Sequence, residues 1–233
     1  MKTQAIAWTG AQVIAITQEL PEHMSAMAPL GASCGHRQGA LIAVAVDDLD
    51  FLRKTCHIEW QVKNFGGQQF FALVKNKKTR DVPVADYALF ALARHMKVCP
   101  PVKVTLPVLL PDGKIGPPMT RELIFTRLDG RAHTRMSVNV GWNAARKRAG
   151  IPFIKKATGQ HVLRHTAATN WLANGLSLAK VAAHLGDTQA VVLDTYSHVL
   201  PNDDDRAREI SNVFFAPRAG QVTKMCPRRL PGA

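Results

Sequence analysis

A histidine and an arginine three positions apart, on a segment with helical patterning, are the residue types best suited to phosphate chemistry. They are His161 and Arg164, in the stretch HVLRH. Residues three apart project from one face of a helix. Arginine is a permanent, fork-shaped cation that matches two phosphate oxygens, and histidine can move a proton near neutral pH. An exposed polar helix face gives the same short pattern, so this pair alone leaves both interpretations open.

Tyr196 is a candidate nucleophile in a later helical segment. It lies in the stretch DTYSH, near the start of the last turn of the predicted helix, and is one of 2 tyrosines in the chain. A phenolic oxygen can attack phosphorus and form a covalent intermediate. The alternative is a tyrosine whose ring simply fills the core, which is the default explanation for an isolated tyrosine in such a segment.

The charge balance favours a polyanionic partner. Lys and Arg total 30 against 17 Asp and Glu, which gives a formal net charge of +13. Each contact between a cation and a phosphate releases counterions condensed on nucleic acid, so such an excess suits a nucleic-acid-binding protein. Charge alone also suits acidic proteins and membrane surfaces. The hydrophobic fraction of 46% is enough for a packed core.

The sequence contains no pattern that indicates a metal site, a cofactor site or a membrane-spanning segment. The 4 cysteines form no C-x-x-C pair and no Cys/His cluster with zinc-ligand spacing, so we expect free thiols in a reducing cytoplasm and neither a metal nor another cofactor. The longest apolar run, residues 40–46, is far too short to span a bilayer. We therefore predict no membrane partner and no small-molecule substrate.

The hydrophobic patterning predicts an α+β fold, mainly α, with a small three-stranded antiparallel sheet. Alternation and β-branched or aromatic residues indicate the strands, at 55–62, 69–75 and 80–84. The proline-rich segment 98–118 reads as a loop. Helices are predicted around Val13 and Met27 and, with Asp86 as an N-cap, over 86–97. Further predicted helices span 138–149, 160–173, 177–185, 189–199 and 203–215.

The order and spacing of several motifs resemble the tyrosine recombinase, or phage integrase, family. The resemblance covers about residues 7–215. It rests on GHRQG at 35–39, KNKKTRDVPV at 75–84, the His161 and Arg164 pair, the Leu185-Gly186 pair, and YSH at 196–198. It implies a single catalytic domain over 1–215, followed by a basic tail at 216–233 that we expect to be disordered.

The resemblance also implies roles for five residues. Arg37 and Arg164 would hold the non-bridging oxygens of a DNA phosphodiester, and Tyr196 would attack the phosphorus. Lys75 would protonate the leaving 5′ oxygen, and His161 would help to move the tyrosine proton. The implied product is a 3′-phosphotyrosyl link that is later rejoined, so the implied function is site-specific recombination of duplex DNA by a tetramer on paired sites, in the cytoplasm at the nucleoid.

Neighbouring residues leave some assignments open. Lys77 and Lys78 lie close to Lys75 and are the same residue type. His165 is expected to belong to the structural shell of its helix rather than to the chemistry. His184 is expected to cap or line a helix surface.

The sequence departs from the family pattern at three places. Asp187 follows the Leu-Gly pair where the family usually has His or Trp, and a carboxylate there would repel a phosphate unless it is turned away, protonated or capping the next helix. We expect the capping role, because Asp187-Thr188 precedes an apolar run. Ala40 stands where an acidic residue is common. The family's N-terminal helical domain, which clamps the other face of the DNA, is expected to be absent.

Two other functions therefore remain open. The chain could be a DNA-binding remnant of an integrase that retains the fold but cleaves poorly. It could also be a nicking enzyme similar to type IB topoisomerases, which would relax supercoiled DNA without site preference.

Overall fold

The computed structural model describes residues 6–75, 78–154, 159–200 and 204–215. The chain divides into two units, residues 1–200 and 201–233. The helices of the first unit are α1 (Gly10–Glu19), α2 (Met27–Cys34), α3 (Gln38–Ile42), α4 (Asp86–Val98), α5 (Arg135–Arg148), α6 (His161–Ala173), α7 (Leu178–Leu185) and α8 (Gln189–Tyr196). The second unit contains α9 (Asp204–Phe215). The tail at 216–233, predicted to be disordered, lies outside the described residues.

Within the described residues, two small sheets accompany the helices. Strands β1 (Leu49–Asp50), β2 (Thr55–Ile58) and β5 (Arg80–Pro83) form a three-stranded antiparallel sheet, and β3 (Trp60–Phe65), β4 (Gln68–Leu73), β6 (Val102–Leu109) and β7 (Ile115–Leu123) form a four-stranded sheet in that order. The strand β4 runs parallel to β6, and the other neighbours are antiparallel. The predicted class, mainly helical with a three-stranded antiparallel sheet, is confirmed.

The three predicted strand segments do not form one sheet but divide between the two sheets. The segment 55–62 does not form one strand, because the chain breaks at Glu59 and enters a different sheet on each side. The segment 98–118, interpreted as a loop, contains β6 and the first residues of β7. Prolines are tolerated there because β7 is an edge strand, and the register shifts by a bulge at Pro107.

The helical predictions hold with small shifts at their ends. The helix α4 starts at Asp86, but its N-cap is Ala85, and Asp86 instead pairs with Lys54 at 2.8 Å. The segment 189–199 divides into α8 and a 3₁₀ turn, Ser197–Val199. No helix among the described residues is long and apolar enough to cross a membrane.

Two apolar clusters position the residues of interest. The larger cluster surrounds α2, where Met27 and Leu30 are fully buried, and extends to Trp142, which stacks on Trp8 with ring centroids 5.5 Å apart. The smaller cluster joins α6, α7 and α8, and its buried members are Ala168, Leu172, Val181, Ala182, Leu185, Val192 and Tyr196. This smaller cluster fixes the ring of Tyr196 relative to α6.

Candidate active site

Arg37 is placed by a sharp end to α2. Gly35, the C-cap of α2, has φ of 64°, a left-handed conformation that favours glycine. A Cβ at this position would lie 2.7 Å from the Leu185 side chain, so the turn also needs the missing side chain. The chain then extends through Arg37, which is the N-cap of α3. The guanidinium of Arg37 is thereby directed towards α6 and α7.

Arg164 is a buried cation that ties three elements together. Its side chain is 3% exposed. Its Nη1 donates to the carbonyl oxygen of Gly35 at 2.7 Å, and its Nη2 donates to that of Leu185 at 2.8 Å. Burial lowers the pKa of Arg164, with the charge of Arg37 adding to the effect and Asp187 opposing it. The two arginines predicted to act together therefore lie in one site.

The carboxylate of Asp187 joins the two arginines. Its Oδ2 accepts from Arg164 Nη2 at 2.5 Å, and its Oδ1 accepts a close hydrogen bond from Arg37 Nη2. Burial alone would raise the pKa of Asp187, but the charges and hydrogen bonds of Arg164 and Arg37 lower it below the ordinary value. Asp187 is thus a carboxylate anion held between two cations.

The predicted capping role of Asp187 was wrong. The N-cap of α8 is Thr188, whose Oγ1 accepts from the backbone N–H of Val191 at 3.3 Å. With that cap supplied by its neighbour, Asp187 is free to face the arginines. Ala40, the second departure from the family pattern, is buried within α3.

Arg80 is a third arginine of the site, and sequence reasoning missed it. Its Nε donates to the carbonyl oxygen of His184 at 2.6 Å, and its guanidinium lies against Gly186. Burial, then the charges of Arg164 and Arg37, lower the pKa of Arg80 to about 10. Arg80 lay within the motif at 75–84, but its residue type did not distinguish it from the other cations there.

Tyr196 is both a core residue and a polar member of the site. The residue is 4% exposed, and its ring packs in the smaller cluster. Its Oη lies 2.8 Å from Nδ1 of His165. Burial raises the pKa of Tyr196 to about 12, against the opposing charge of Arg164. The ring is therefore a core residue, while its hydroxyl oxygen makes a polar contact with α6.

His165, expected to belong to the structural shell of its helix, contacts the hydroxyl of Tyr196. Its ring also meets that of His161 edge to face, with centroids 4.7 Å apart. His184, expected to cap or line a helix surface, is buried near the end of α7, with its ring 5.4 Å from that of Trp171. A sequence signal for His165 existed only in its position, immediately after the arginine of the H-x-x-R pair.

A basic cleft opens beside the arginine pair. It has a volume of about 540 Å³. Its cationic or protonatable lining residues are Arg37, Lys63, His133, Arg135 and His161. Loss of solvent contact, then the charges of Arg164 and Arg37, lower the pKa of His161, so its imidazole is neutral at neutral pH. The cleft therefore offers positive charge around a neutral proton carrier.

Lys75 is the predicted site residue that the structure does not bring to the arginine pair. It is exposed directly after β4, and Lys78 is exposed as well, while Lys77 lies outside the described residues. Lys75 lines a concavity that it shares with Lys63 and Leu109, rather than the cleft lined by Arg37 and His161. Among the described residues, no group of three or more His, Cys, Asp or Glu side chains could hold a metal ion.

Comparison with known proteins identifies the family. A family model described as the phage integrase family matches residues 9–203. The chain belongs to the phage integrase family. The resemblance inferred from the motifs is thereby confirmed, and the site described above lies within the matched span of this integrase-family chain.

Curated relatives of this integrase-family chain are tyrosine recombinases. It is 25% identical over 228 residues to a XerC-like tyrosine recombinase of Caldanaerobacter subterraneus subsp. tengcongensis, covering 92% of this chain and 56% of the relative. It is 26% identical over 140 residues to the tyrosine recombinase XerD of Chlorobaculum tepidum, covering 60% of this chain and 40% of that protein. The chain thus spans about half the length of the relatives that it matches.

Solved structures share the fold. The Tn1549 transposon integrase in complex with a circular intermediate DNA matches with a TM-score of 0.70 at 18% identity, over 90% of this chain and 67% of that one. The catalytic domain of bacteriophage HP1 integrase matches with a TM-score of 0.54 at 18% identity, over 94% of this chain and 98% of that one. The integrase-family fold therefore extends over most of the chain.

Proposed function

We propose that this chain is the catalytic part of a site-specific tyrosine recombinase that cleaves and rejoins duplex DNA. The observation that carries the proposal is the anion site formed by Arg37 and Arg164, which already holds the carboxylate of Asp187, beside a tyrosine hydroxyl. A pair of arginines that binds a carboxylate has the charge and hydrogen-bond geometry to bind a phosphodiester.

The reaction follows from these groups. The scissile phosphate displaces Asp187, and its non-bridging oxygens accept hydrogen bonds from Arg37 and Arg164. These fixed cations stabilise the charge that grows in the transition state. Tyr196 attacks the phosphorus, the bond to the 5′ oxygen breaks, and a 3′-phosphotyrosyl link remains. This link preserves the energy of the phosphodiester, so rejoining to a new 5′-hydroxyl needs no ATP.

Lys75 and His161 serve as proton carriers in this proposal. We assign to Lys75 the protonation of the leaving 5′ oxygen. Lys75 lies exposed after β4 and shares a concavity with Lys63, which also lines the cleft beside Arg37. His161 lines the cleft beside Arg37 and carries protons between the site and solvent.

The related structures support the choice of substrate. The Tn1549 integrase is described in complex with a circular intermediate DNA, and the XerH recombinase in a post-cleavage complex with its difH substrate. By analogy, we propose that residues 1–215 act on duplex DNA at the nucleoid, as a tetramer on paired sites. The test is to trap a covalent complex on a suicide duplex, nicked so that the released fragment diffuses away.

A second function is favoured by Asp187 itself. A carboxylate bound by both arginines competes with a phosphate for the same hydrogen-bond donors. If the competition always favours Asp187, the chain binds DNA through its basic cleft without cleaving it, as a remnant of an integrase. The covalent-trapping experiment separates the two functions, because only the recombinase forms a link to DNA.

A further inference from the structure

The hydroxyl of Tyr196 has a specific imidazole partner. Its Oη lies 2.8 Å from Nδ1 of His165, and the two rings are inclined by 58° with centroids 5.7 Å apart. His165 follows Arg164 on α6, while Tyr196 is the last residue of α8. Packing between α6 and α8 in the smaller cluster therefore sets the distance between the nucleophile and this imidazole.

Both partners of this hydrogen bond are uncharged at neutral pH. Burial, then the charges of His161 and Arg164, lower the pKa of His165 to about 4, so the ring is neutral at neutral pH. Tyr196 remains protonated under the same conditions, because its pKa is raised to about 12. In the tautomer of His165 that carries its hydrogen on Nε2, the phenol donates its hydrogen and Nδ1 accepts it with a free lone pair.

Resting on the function proposed above, we propose that His165 is a catalytic residue that takes the proton of Tyr196 during DNA cleavage. As the bond between Oη and phosphorus forms, the bond to the 5′ oxygen breaks and the phenolic proton passes from Oη to Nδ1. The leaving 5′ oxygen receives a different proton from the general acid. In rejoining, the proton returns from Nδ1 to Oη as the phosphotyrosyl bond breaks.

The proton affinity of His165 changes during the reaction. In the free chain, burial and then the charges of His161 and Arg164 oppose a positive charge on His165. A phosphodiester that displaces the Asp187 carboxylate keeps a negative charge between Arg37 and Arg164, and the charge that grows in the transition state adds to it and raises the proton affinity of the imidazole. His165 is therefore a weak base in the free chain and a stronger one as the nucleophile loses its proton.

Two substitutions separate proton transfer from positioning. In His165→Gln the side-chain amide can still accept the phenolic hydrogen bond but cannot take the proton, whereas His165→Ala removes both. The rate constant for single-turnover cleavage of a suicide duplex is measured over a range of pH, together with duplex affinity and melting temperature. His57→Ala is the control, because His57 lies on β2 and pairs with Asp81, outside the arginine site.

We expect both variants to keep duplex affinity and to cleave about 10²- to 10⁴-fold more slowly at neutral pH. The deficit should shrink as pH rises, because hydroxide can then take the proton, and added imidazole should restore part of the rate to His165→Ala. A substrate with sulfur in place of the leaving 5′ oxygen should leave the deficit unchanged, because that substitution relieves only the general acid.

The outcomes distinguish this role from the proposed function. If wild type forms the covalent adduct and His165→Gln forms it at the same rate, the proton-transfer role is wrong while the recombinase function stands. A deficit that neither pH nor imidazole alters also overturns the role, since it indicates positioning alone. If wild type forms no adduct under any condition, the proposed function fails and the role of His165 fails with it.

Discussion

Asp187 and Arg164 form an ion pair of 2.5 Å at a point where a bound phosphodiester would need the same guanidinium. Arg37 contacts the other oxygen of the carboxylate. The pair stabilises the free chain, since Arg164 would otherwise be a buried cation without an anionic partner. The same pair opposes DNA cleavage, because the carboxylate has to leave before a phosphate can enter.

Asp187→Asn tests this competition. The variant keeps the shape of the side chain but loses its charge, so we expect the free energy of unfolding to fall by roughly 1–3 kcal/mol, less than for a fully buried pair because Asp187 and Arg37 retain some solvent contact. Inorganic phosphate should raise its melting temperature more than that of wild type. Covalent trapping should be faster in Asp187→Asn and in Asp187→His than in wild type.

The control for this substitution is Asp112→Asn, which removes a carboxylate from an exposed pair with Lys114. The pH dependence provides a further check. The pKa of Asp187 is lower in the folded chain than in the unfolded chain, so its stabilisation is complete above pH of about 4 and is lost as pH falls through the folded pKa. Equal stabilisation of wild type and Asp187→Asn by phosphate would contradict the competition.

Gly186→Ala tests the turn that carries Asp187. Gly186 has φ of 65°, and a Cβ there would lie 2.7 Å from Nη1 of Arg80. Gly150 is a matched control, because its φ is 67° with open space around the Cβ position. Gly150→Ala should cost about 1 kcal/mol through its backbone alone, whereas Gly186→Ala should cost more and should also slow covalent trapping. Equal costs would show that the contact with Arg80 does not matter.

The salt dependence of duplex binding tests the basic cleft. Each phosphate contact contributes about −0.9 to the slope of log affinity against log salt concentration. Lys63→Ala and Arg135→Ala remove exposed cations from the cleft, so each should reduce the magnitude of the slope by roughly one. Arg94→Ala is the control, because Arg94 lines a different concavity with Tyr87 and Phe90. Equal slopes in all variants would place the DNA elsewhere.

Local signals predicted the helices well, because helix ends are encoded nearby in the chain. The bounds of α6 and α7 follow from the apolar periodicity, the Ser177 cap and the glycine at 186. The hairpin formed by β6 and β7 was missed, because proline discourages a strand locally while the pairing of Val102 with Leu123 depends on distant residues.

The site was predicted only in part, because contacts between residues of different elements are not encoded locally in the sequence. The resemblance named Arg37, Arg164 and Tyr196, but the partners of these residues come from other elements. The contact of His165 with Tyr196 arises from packing between α6 and α8, and the pairing of Asp187 with both arginines arises from the turn after α7. Neither contact has a local sequence pattern, so residue type and spacing could not reveal them.

The most direct test of the account uses the two tyrosines of the chain. Tyr196→Phe keeps the buried ring but removes the attacking oxygen, and Tyr87→Phe makes the same change at an exposed position on α4. Wild type and Tyr87→Phe are expected to form a covalent adduct with a nicked suicide duplex on a denaturing gel, without ATP, and Tyr196→Phe is expected to form none. An adduct that persists in Tyr196→Phe, or its absence from wild type, would contradict the assignment of Tyr196 as the nucleophile of a DNA-cleaving enzyme.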